Sequence, residues 1–414
     1  MNHIAFLRNV IQEYPWGSRT AIAELLGAPA PSRRPQAELW MGAHPKAPSQ
    51  VAWNGEWVSL LELIRQHPQT ILGPSVAARF DNQLPYLFKV LAAARPLSIQ
   101  AHPAKTQAQA GFESENRRRI PLDAPERNYR DPHHKPECIC ALTPLWALQG
   151  FRYIDALYGY LEPVAYSPLQ TLLRDLRRRG AAAGLERFFE TLLNLPADAK
   201  TGLIGAVCGH AAAQSHADPA WQWVVDLHRV YPGDIGVLSP LMLNLVRLEP
   251  GQALYLPPGE LHAYLDGTGV ELMANSDNVL RGGLTAKHVD VPELLKVLNF
   301  RPHAIRILTP AAVSATERVY PVPAEEFRLA VVSIEPDTPH LGLPEGGVEI
   351  LLCTRGQGTI TDAGSGRLLD ITTGSAVLVP SAAAAYRIEG RLTLYKAGVP
   401  VGPPQRATGP SNAR

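Results

Sequence analysis

Four residues of this chain have the types and the spacing to hold one divalent metal ion. Gln100 and His102 stand two apart in the run Leu97-Ser98-Ile99-Gln100-Ala101-His102, which lies between Pro96 and Pro103. Strand side chains alternate with a period of two, so both project from the same face. Glu137 ends the segment His133-His134-Lys135-Pro136-Glu137, and His262 follows the turn Pro257-Pro258-Gly259. Two imidazoles, one carboxylate and one amide oxygen form a mixed nitrogen and oxygen donor set that suits Zn²⁺. A single anionic ligand leaves such a centre near +1, a useful Lewis acid with room for a water or substrate oxygen.

Those residues need strands to carry them. The runs Tyr86-Leu87-Phe88-Lys89-Val90-Leu91, after Pro85, and Leu97 to His102 read as strands. After Phe151 the pattern changes. Leu169, Leu172, Leu173 and Leu176 recur at helical spacing, as do Leu185, Phe188, Phe189, Leu192 and Leu193, and then Trp221, Val224, Val225 and His228. A helical segment is expected over 153–239, with strands again from Leu241.

A faint repeat links the two strand-rich regions. Gly251-x5-Pro257-x-Gly259-x2-His262 returns 123 residues later as Gly374-x5-Pro380-x-Ala382-x2-Ala385. The first copy has the spacing of a cupin motif. The second keeps its Gly and Pro but has Ala in place of the second Gly and the His, so a C-terminal barrel would lack that ligand. The expected fold is mainly β with a helical insertion: two cupin-like, jelly-roll barrels plus an α-helical domain. Residues 1–152 and 240–305 would form the N-terminal barrel, 153–239 the helical domain and 306–398 the degenerate barrel. Residues 399–414 read as a loose tail.

Composition narrows the function. Lys and Arg number 39 against 38 Asp and Glu, a net charge of +1. That balance argues against nucleic-acid and membrane-surface partners, so any anionic substrate must meet a local cluster of cations. The Cys-x-Cys at Cys138 and Cys140 reads as alternate positions of a buried strand, and no disulfide framework is visible. The N-terminus has no signal-peptide pattern and no stretch would span a bilayer, so a cytoplasmic home is expected. No dinucleotide or P-loop fingerprint occurs.

Segments along residues 3 to 300 resemble the type I mannose-6-phosphate isomerase family. They include Tyr14-Pro15-Trp16-Gly17-Ser18, Ala37-Glu38-Leu39-Trp40-Met41-Gly42-Ala43-His44-Pro45, Leu87 to Leu91, Leu97 to Pro103, Asn128-Tyr129, Asp131-Pro132, His134-Lys135-Pro136-Glu137 and Gly269 to Lys287. The last contains Ser276-Asp277-Asn278-x-x-Arg281. Three positions depart from the family pattern: His133, Leu261 and Ala286 replace a common Asn, Pro and Pro.

The resemblance implies one zinc per chain on Gln100, His102, Glu137 and His262, and an active-site role for Arg281. It implies an aldose–ketose isomerase that moves a proton between C2 and C1 of a sugar phosphate through an enediol. Glu271, alternating with Met273 and Asn275 on a strand, is the candidate base, and Lys135 a candidate proton shuttle. Asp277 and His134 are candidates to assist ring opening. Ser98, Lys89 and Lys287 are candidate phosphate anchors, with Trp16 and Glu38 in the substrate pocket. The partner would be a small sugar phosphate, and a monomer would suffice. The competing class is a non-catalytic cupin that binds sugar phosphate without turnover. A cupin dioxygenase on iron is disfavoured, because Gln100 replaces a His expected of a His-rich iron site.

Overall fold

The computed structural model describes residues 2–344 and 347–400. The run after Pro85 forms the strand Tyr86–Ala93, buried along its whole length. A strand buried on both faces needs a packed layer on each side. It pairs antiparallel with Glu38–Met41 on one edge and with the long strand His262–Ala274 on the other.

The long strand organises the site. Near His262 it pairs with Leu145–Phe151, and His262 lies opposite Gln100 of the strand Ile99–Ala101. Beyond Gly267 it pairs with Tyr86–Ala93 and with Glu137–Ala141. The register shifts between Tyr264 and Asp266, and Gly267 has φ +113°. A Cβ there would lie 2.4 Å from the Pro144 carbonyl oxygen, so the bend requires glycine. One strand thereby serves two groups of strands and sends His262 and Glu271 into the same interior.

Alternation decides what each face meets. Ile99, Ala101, Leu261, Ala263 and Leu265 pack outward into one apolar core with the helices. Gln100, His262 and Tyr264 therefore point the other way. Phe88, Val90, Cys138, Cys140, Val270 and Leu272 pack outward into a different core, shared with Ile350 and Leu378 of the C-terminal sheet. Lys89, Glu137 and Glu271 alternate with them and face the interior. Cys138 and Cys140 are buried free thiols of that outward face.

His102 is placed differently from expectation. The strand ends at Ala101, and His102 lies one residue beyond it, before Pro103. Proline has no N–H to extend a ladder. The His102 carbonyl instead accepts from the Gly259 N–H at 2.7 Å. Gly259 has φ +81°, and a Cβ on it would meet the Val297 carbonyl oxygen at 2.9 Å.

The three periodic stretches form the helices Ser167–Arg179, Ala181–Leu193 and Pro219–Val230. Asp218 caps the last, accepting from the Ala220 N–H at 2.7 Å, with Pro219 in its first turn. A further helix, Ala197–Gln214, buries Leu203, Ile204, Val207 and Ala211. Its remaining positions are rich in Ala and Gly, so it shows little apolar contrast between faces.

A second antiparallel sheet contains Arg328–Ile334, Glu349–Asp362, Ala376–Val379 and Tyr386–Gly398. It also takes strands from the far end of the chain. Ala5–Arg8 pairs with Ala376–Val379 on one side and with Gln50–Trp53 on the other, and Glu56–Ser59 follows as the edge. The expected division put residues 1–152 with the N-terminal barrel, yet these three strands pair in the C-terminal sheet. Non-local pairing of this kind leaves no signal in local periodicity. The repeat is visible in the backbone. Gly251 and Gly374 have φ +87° and +89°, and the 13-residue strands His262–Ala274 and Tyr386–Gly398 each contain a positive-φ glycine, Gly267 and Gly390. The tail expected over 399–414 lies, from residue 401 onward, outside the described residues.

Candidate metal centre and active site

His102, Glu137 and His262 converge, with one ligand atom of each within 4.8 Å of the others. All three are at most 2 % exposed. Their outer hydrogen bonds set the ring orientations. His102 Nδ1 donates to the Asn278 carbonyl at 2.7 Å, and His262 Nδ1 donates to the Glu260 carbonyl at 2.9 Å. Each Nε2 then turns a lone pair inward, 3.3 Å (His102) and 3.2 Å (His262) from the Glu137 oxygens. Burial pushes the His102 pKa down to about 4, so this ring is neutral near pH 7.

Lone pairs facing a carboxylate across about 3 Å repel unless a cation lies between them. His102 Nε2, His262 Nε2 and Glu137 Oε2 have no hydrogen-bond partner among the described residues. Three orphaned donor atoms, buried and mutually close, fit a metal ion. Gln100 sits opposite both His262 and Arg281 in strand register, on the face that carries these ligands.

Lys135 extends the centre. Its ammonium lies 3.2 Å from Glu137 Oε1 and is buried. Burial alone would raise the Glu137 pKa. The Lys135 ammonium opposes it and favours the charged carboxylate, whose pKa lies below its ordinary value.

Deeper along the same face lies a second charged group. Lys89 Nζ is 3.1 Å from Glu271 Oε2 and 3.6 Å from Glu38 Oε1. Tyr264 donates its hydroxyl to Glu271 Oε1 at 3.0 Å, and Trp40 Nε1 donates to Glu38 Oε2 at 2.7 Å. Burial works against the Lys89 charge, but Glu38, Glu271 and Glu137 together raise its pKa. Glu271 is pushed up by burial, with Lys89 opposing. Lys89, expected as a phosphate anchor, is thus engaged by two carboxylates.

Opposite Gln100 in strand register a cationic group begins. Arg281, on the strand Leu280–Gly283, is half-buried, and burial and Arg130 lower its pKa. Burial, Arg281, Arg130 and Lys46 together lower that of Lys287. A cluster of like charges of this kind favours a nearby anion. Asp277 faces this cluster, with Lys46 Nζ at 2.8 Å and His44 Nε2 at 3.5 Å. Burial would raise its pKa, and the hydrogen bonds from His44 and Lys46 pull it far below the ordinary value. Lys46, His44 and Arg130 were not singled out from the sequence, although all three lie in or beside the resembling segments.

The remaining expected residues are more dispersed. Ser98 is half-buried just before the strand of Gln100, and Trp16 packs by the apolar cluster of Leu91 and Ile139. His134 Nε2 lies 2.6 Å from Glu326 Oε1, which ties it to the C-terminal half of the chain.

Comparison with known proteins decides the family. The family described as phosphomannose isomerase type I, catalytic domain, matches residues 4–154. The mannose-6-phosphate isomerase of Salmonella typhimurium is 42 % identical over 356 residues, covering 86 % of this chain and 89 % of its own.

The chain belongs to the type I phosphomannose isomerase family.

The human mannose-6-phosphate isomerase (Homo sapiens) is 35 % identical over 316 residues, 70 % of this chain and 72 % of that one. A crystal structure titled as holo, zinc-bound mannose 6-phosphate isomerase superposes with a TM-score of 0.89 at 37 % identity, covering 96 % of this chain and 100 % of its own. The two sheets and the intervening helices are therefore the phosphomannose isomerase fold. Among the described residues no helix is long and apolar enough to cross a membrane.

Proposed function

We propose that the chain interconverts mannose 6-phosphate and fructose 6-phosphate as a zinc-dependent aldose–ketose isomerase. The observation that carries the reading is the set of buried, unpartnered donor atoms on His102, Glu137 and His262 beside the buried Glu271 and Lys89. Gln100 completes the ligand set from the same strand face. When bound, one zinc ion supplies positive charge and Lewis acidity to this pocket.

The chain's own groups account for the proton transfer. Glu271 is the base that takes the proton from C2 and returns it to C1. Its raised pKa makes it a better proton acceptor than an ordinary carboxylate. Lys89 and Tyr264 orient it, and Glu38, whose other oxygen accepts from Trp40, holds Lys89 in place. Lys135 donates to the sugar oxygens as the enediol forms. Arg281 stabilises the developing oxyanion, since guanidinium keeps its charge at working pH. Lys287, Arg130, Lys46 and Ser98 receive the phosphate. Asp277 and His134 assist ring opening, and Trp16 borders the pocket. Sugar-phosphate binding without turnover is disfavoured, because binding alone has no use for a buried carboxylate clamped beside the metal ligands.

The architecture supporting this is two cupin-like barrels with a helical insertion over 153–239, the N-terminal barrel being catalytic. The repeated Gly–strand–turn–strand unit supports that description. Turnover of mannose 6-phosphate in D2O tests the chemistry. An enediol route places solvent deuterium at C1 of the fructose 6-phosphate formed to the extent that the proton on Glu271 exchanges with solvent before it returns. Conversion without any deuterium would mean either hydride transfer or a Glu271 proton returned before it exchanges, which loss of turnover in Glu271→Gln separates, and no conversion would leave only binding.

A further inference from the structure

The repeat that builds the metal centre also builds a polar interior in the C-terminal sheet. Glu137 lies opposite Leu256 in its strand pair, and Glu349 lies opposite Val379 in the corresponding pair. Val379 follows Leu256 by the 123-residue repeat. Glu349 therefore holds the place that Glu137 holds in the catalytic half. Ala385 replaces the ligand His262. Lys396, at the repeat position of Met273, sends an ammonium to 3.5 Å from Glu349 Oε1 and 2.9 Å from Glu317 Oε2. A fixed cation of the protein thus neutralises these carboxylates.

Above this group is a cavity of about 260 Å³, lined by Glu317, Arg328, His340, Glu349 and Lys396 among others. Sites for drug-sized ligands run to roughly 300–1,000 Å³, so this one suits a single small ring. His340 is 2 % exposed, and its Nε2 has no partner among the described residues. Its Nδ1 meets the Thr316 hydroxyl at 2.9 Å. Burial pushes its pKa down to about 4, so it is a neutral group with one hydrogen bond unused. Tyr386 donates to Glu349 Oε2 at 2.7 Å, and Arg328 makes its one side-chain hydrogen bond among the described residues to Glu317 Oε1 at 3.4 Å. At the rim Val313, Leu341 and Leu343 are 57 %, 71 % and 56 % exposed.

Two carboxylates and two cations leave the lining with no net charge. An anion would meet Glu317 and Glu349, and a cation would meet Lys396 and Arg328. Hydroxyl groups, which both donate and accept, match such a lining, and the aliphatic rim matches the C–H face of a pyranose. We infer that this cavity is a second, metal-independent binding site for a neutral polyhydroxylated ligand of monosaccharide size, distinct from the isomerase pocket.

Methyl α-D-mannopyranoside is a suitable probe, because it has no phosphate and its blocked C1 prevents isomerisation. Its binding to the zinc-loaded full chain can be followed by saturation-transfer NMR, with Glu317→Gln and Leu341→Ala as variants. The expected result is binding of roughly millimolar strength, weakened about tenfold in Glu317→Gln by loss of an acceptor and about threefold in Leu341→Ala. Isomerase activity should be unchanged in both. Leu341 is exposed, so its variant reports even if the interior variant folds poorly. No transfer to the wild-type chain would overturn the inference. So would transfer unchanged in both variants, which would place the sugar elsewhere, or displacement of the sugar by inorganic phosphate, which would mark an anion site.

Discussion

His102 donates its Nδ1 proton to the main-chain carbonyl of Asn278 at 2.7 Å, and that bond fixes which nitrogen faces the metal site. The Asn278 side chain holds the carbonyl in position. Its Oδ1 accepts from the Arg130 N–H at 2.7 Å, and its Nδ2 donates to the carbonyls of Asp131 and His133 at 2.8 and 2.9 Å. Asn278→Ala keeps the carbonyl but frees the loop that presents it. Zinc affinity should fall about 10- to 100-fold, the usual cost of losing an outer-sphere partner. Competition with a chromophoric chelator measures it, and unchanged affinity would show that the loop holds its shape without this side chain.

Removing a ligand should do more. His262→Ala takes away one imidazole, and Glu137→Gln takes away the only charged donor of the set. Metal and turnover should be lost together in both. Elemental analysis alongside an isomerase assay separates this from a variant that retains zinc and merely slows.

Glu271→Gln should lower kcat about 10²- to 10⁴-fold with zinc content intact, the span ordinary for one general base. The wild-type acid limb follows from the raised pKa of Glu271. The base works deprotonated, so kcat is present above that pKa and declines as pH falls through it, at a higher pH than an unperturbed carboxylate would give. That limb should vanish from the residual activity of Glu271→Gln. A limb that persists unaltered would assign it to another group.

How much of this was legible in the sequence depends on the reach of each signal. Gln100 and His102 two apart, and His262 after a Pro-Gly turn, announce themselves within a few residues. The clamp of Lys89 between Glu38 and Glu271 joins three strands far apart in the chain, and only their pairing brings it into view. The same holds for His134 with Glu326, and for Ala5–Arg8 pairing with Ala376–Val379. The helix Ala197–Gln214 was hidden for a different reason: its Ala and Gly faces differ too little for periodicity to show. Lys46 and Arg130 carry no signal of their own in the sequence, and only folding brings them near enough to Lys287 to lower its pKa.

Arg281→Ala should lower kcat and kcat/KM alike by about 2.7–4 kcal/mol of transition-state stabilisation, as removal of one oxyanion donor does. Arg281→Lys should recover little, because ammonium lacks the planar fork. If Arg281 served only to hold phosphate, KM would rise and kcat would hold at saturating substrate.

The bend in the long strand can be tested through stability. Gly267→Ala places a Cβ 2.4 Å from the Pro144 carbonyl oxygen at φ +113°. The strain should cost about 1–3 kcal/mol, read from denaturant midpoints. Zinc affinity should weaken with it, since the bend aligns His262 with Glu137. A variant as stable as the parent would show that the strand turns without glycine.

The central claim is that one zinc ion, held by His102, Glu137 and His262 with Gln100, makes this chain an isomerase. Titrating zinc into the chelator-stripped chain while following fructose 6-phosphate formation tests it most directly. Activity should rise from background in proportion to added zinc and level off at one ion per chain. Full turnover by the metal-free chain, or a plateau only at two ions, would contradict the account.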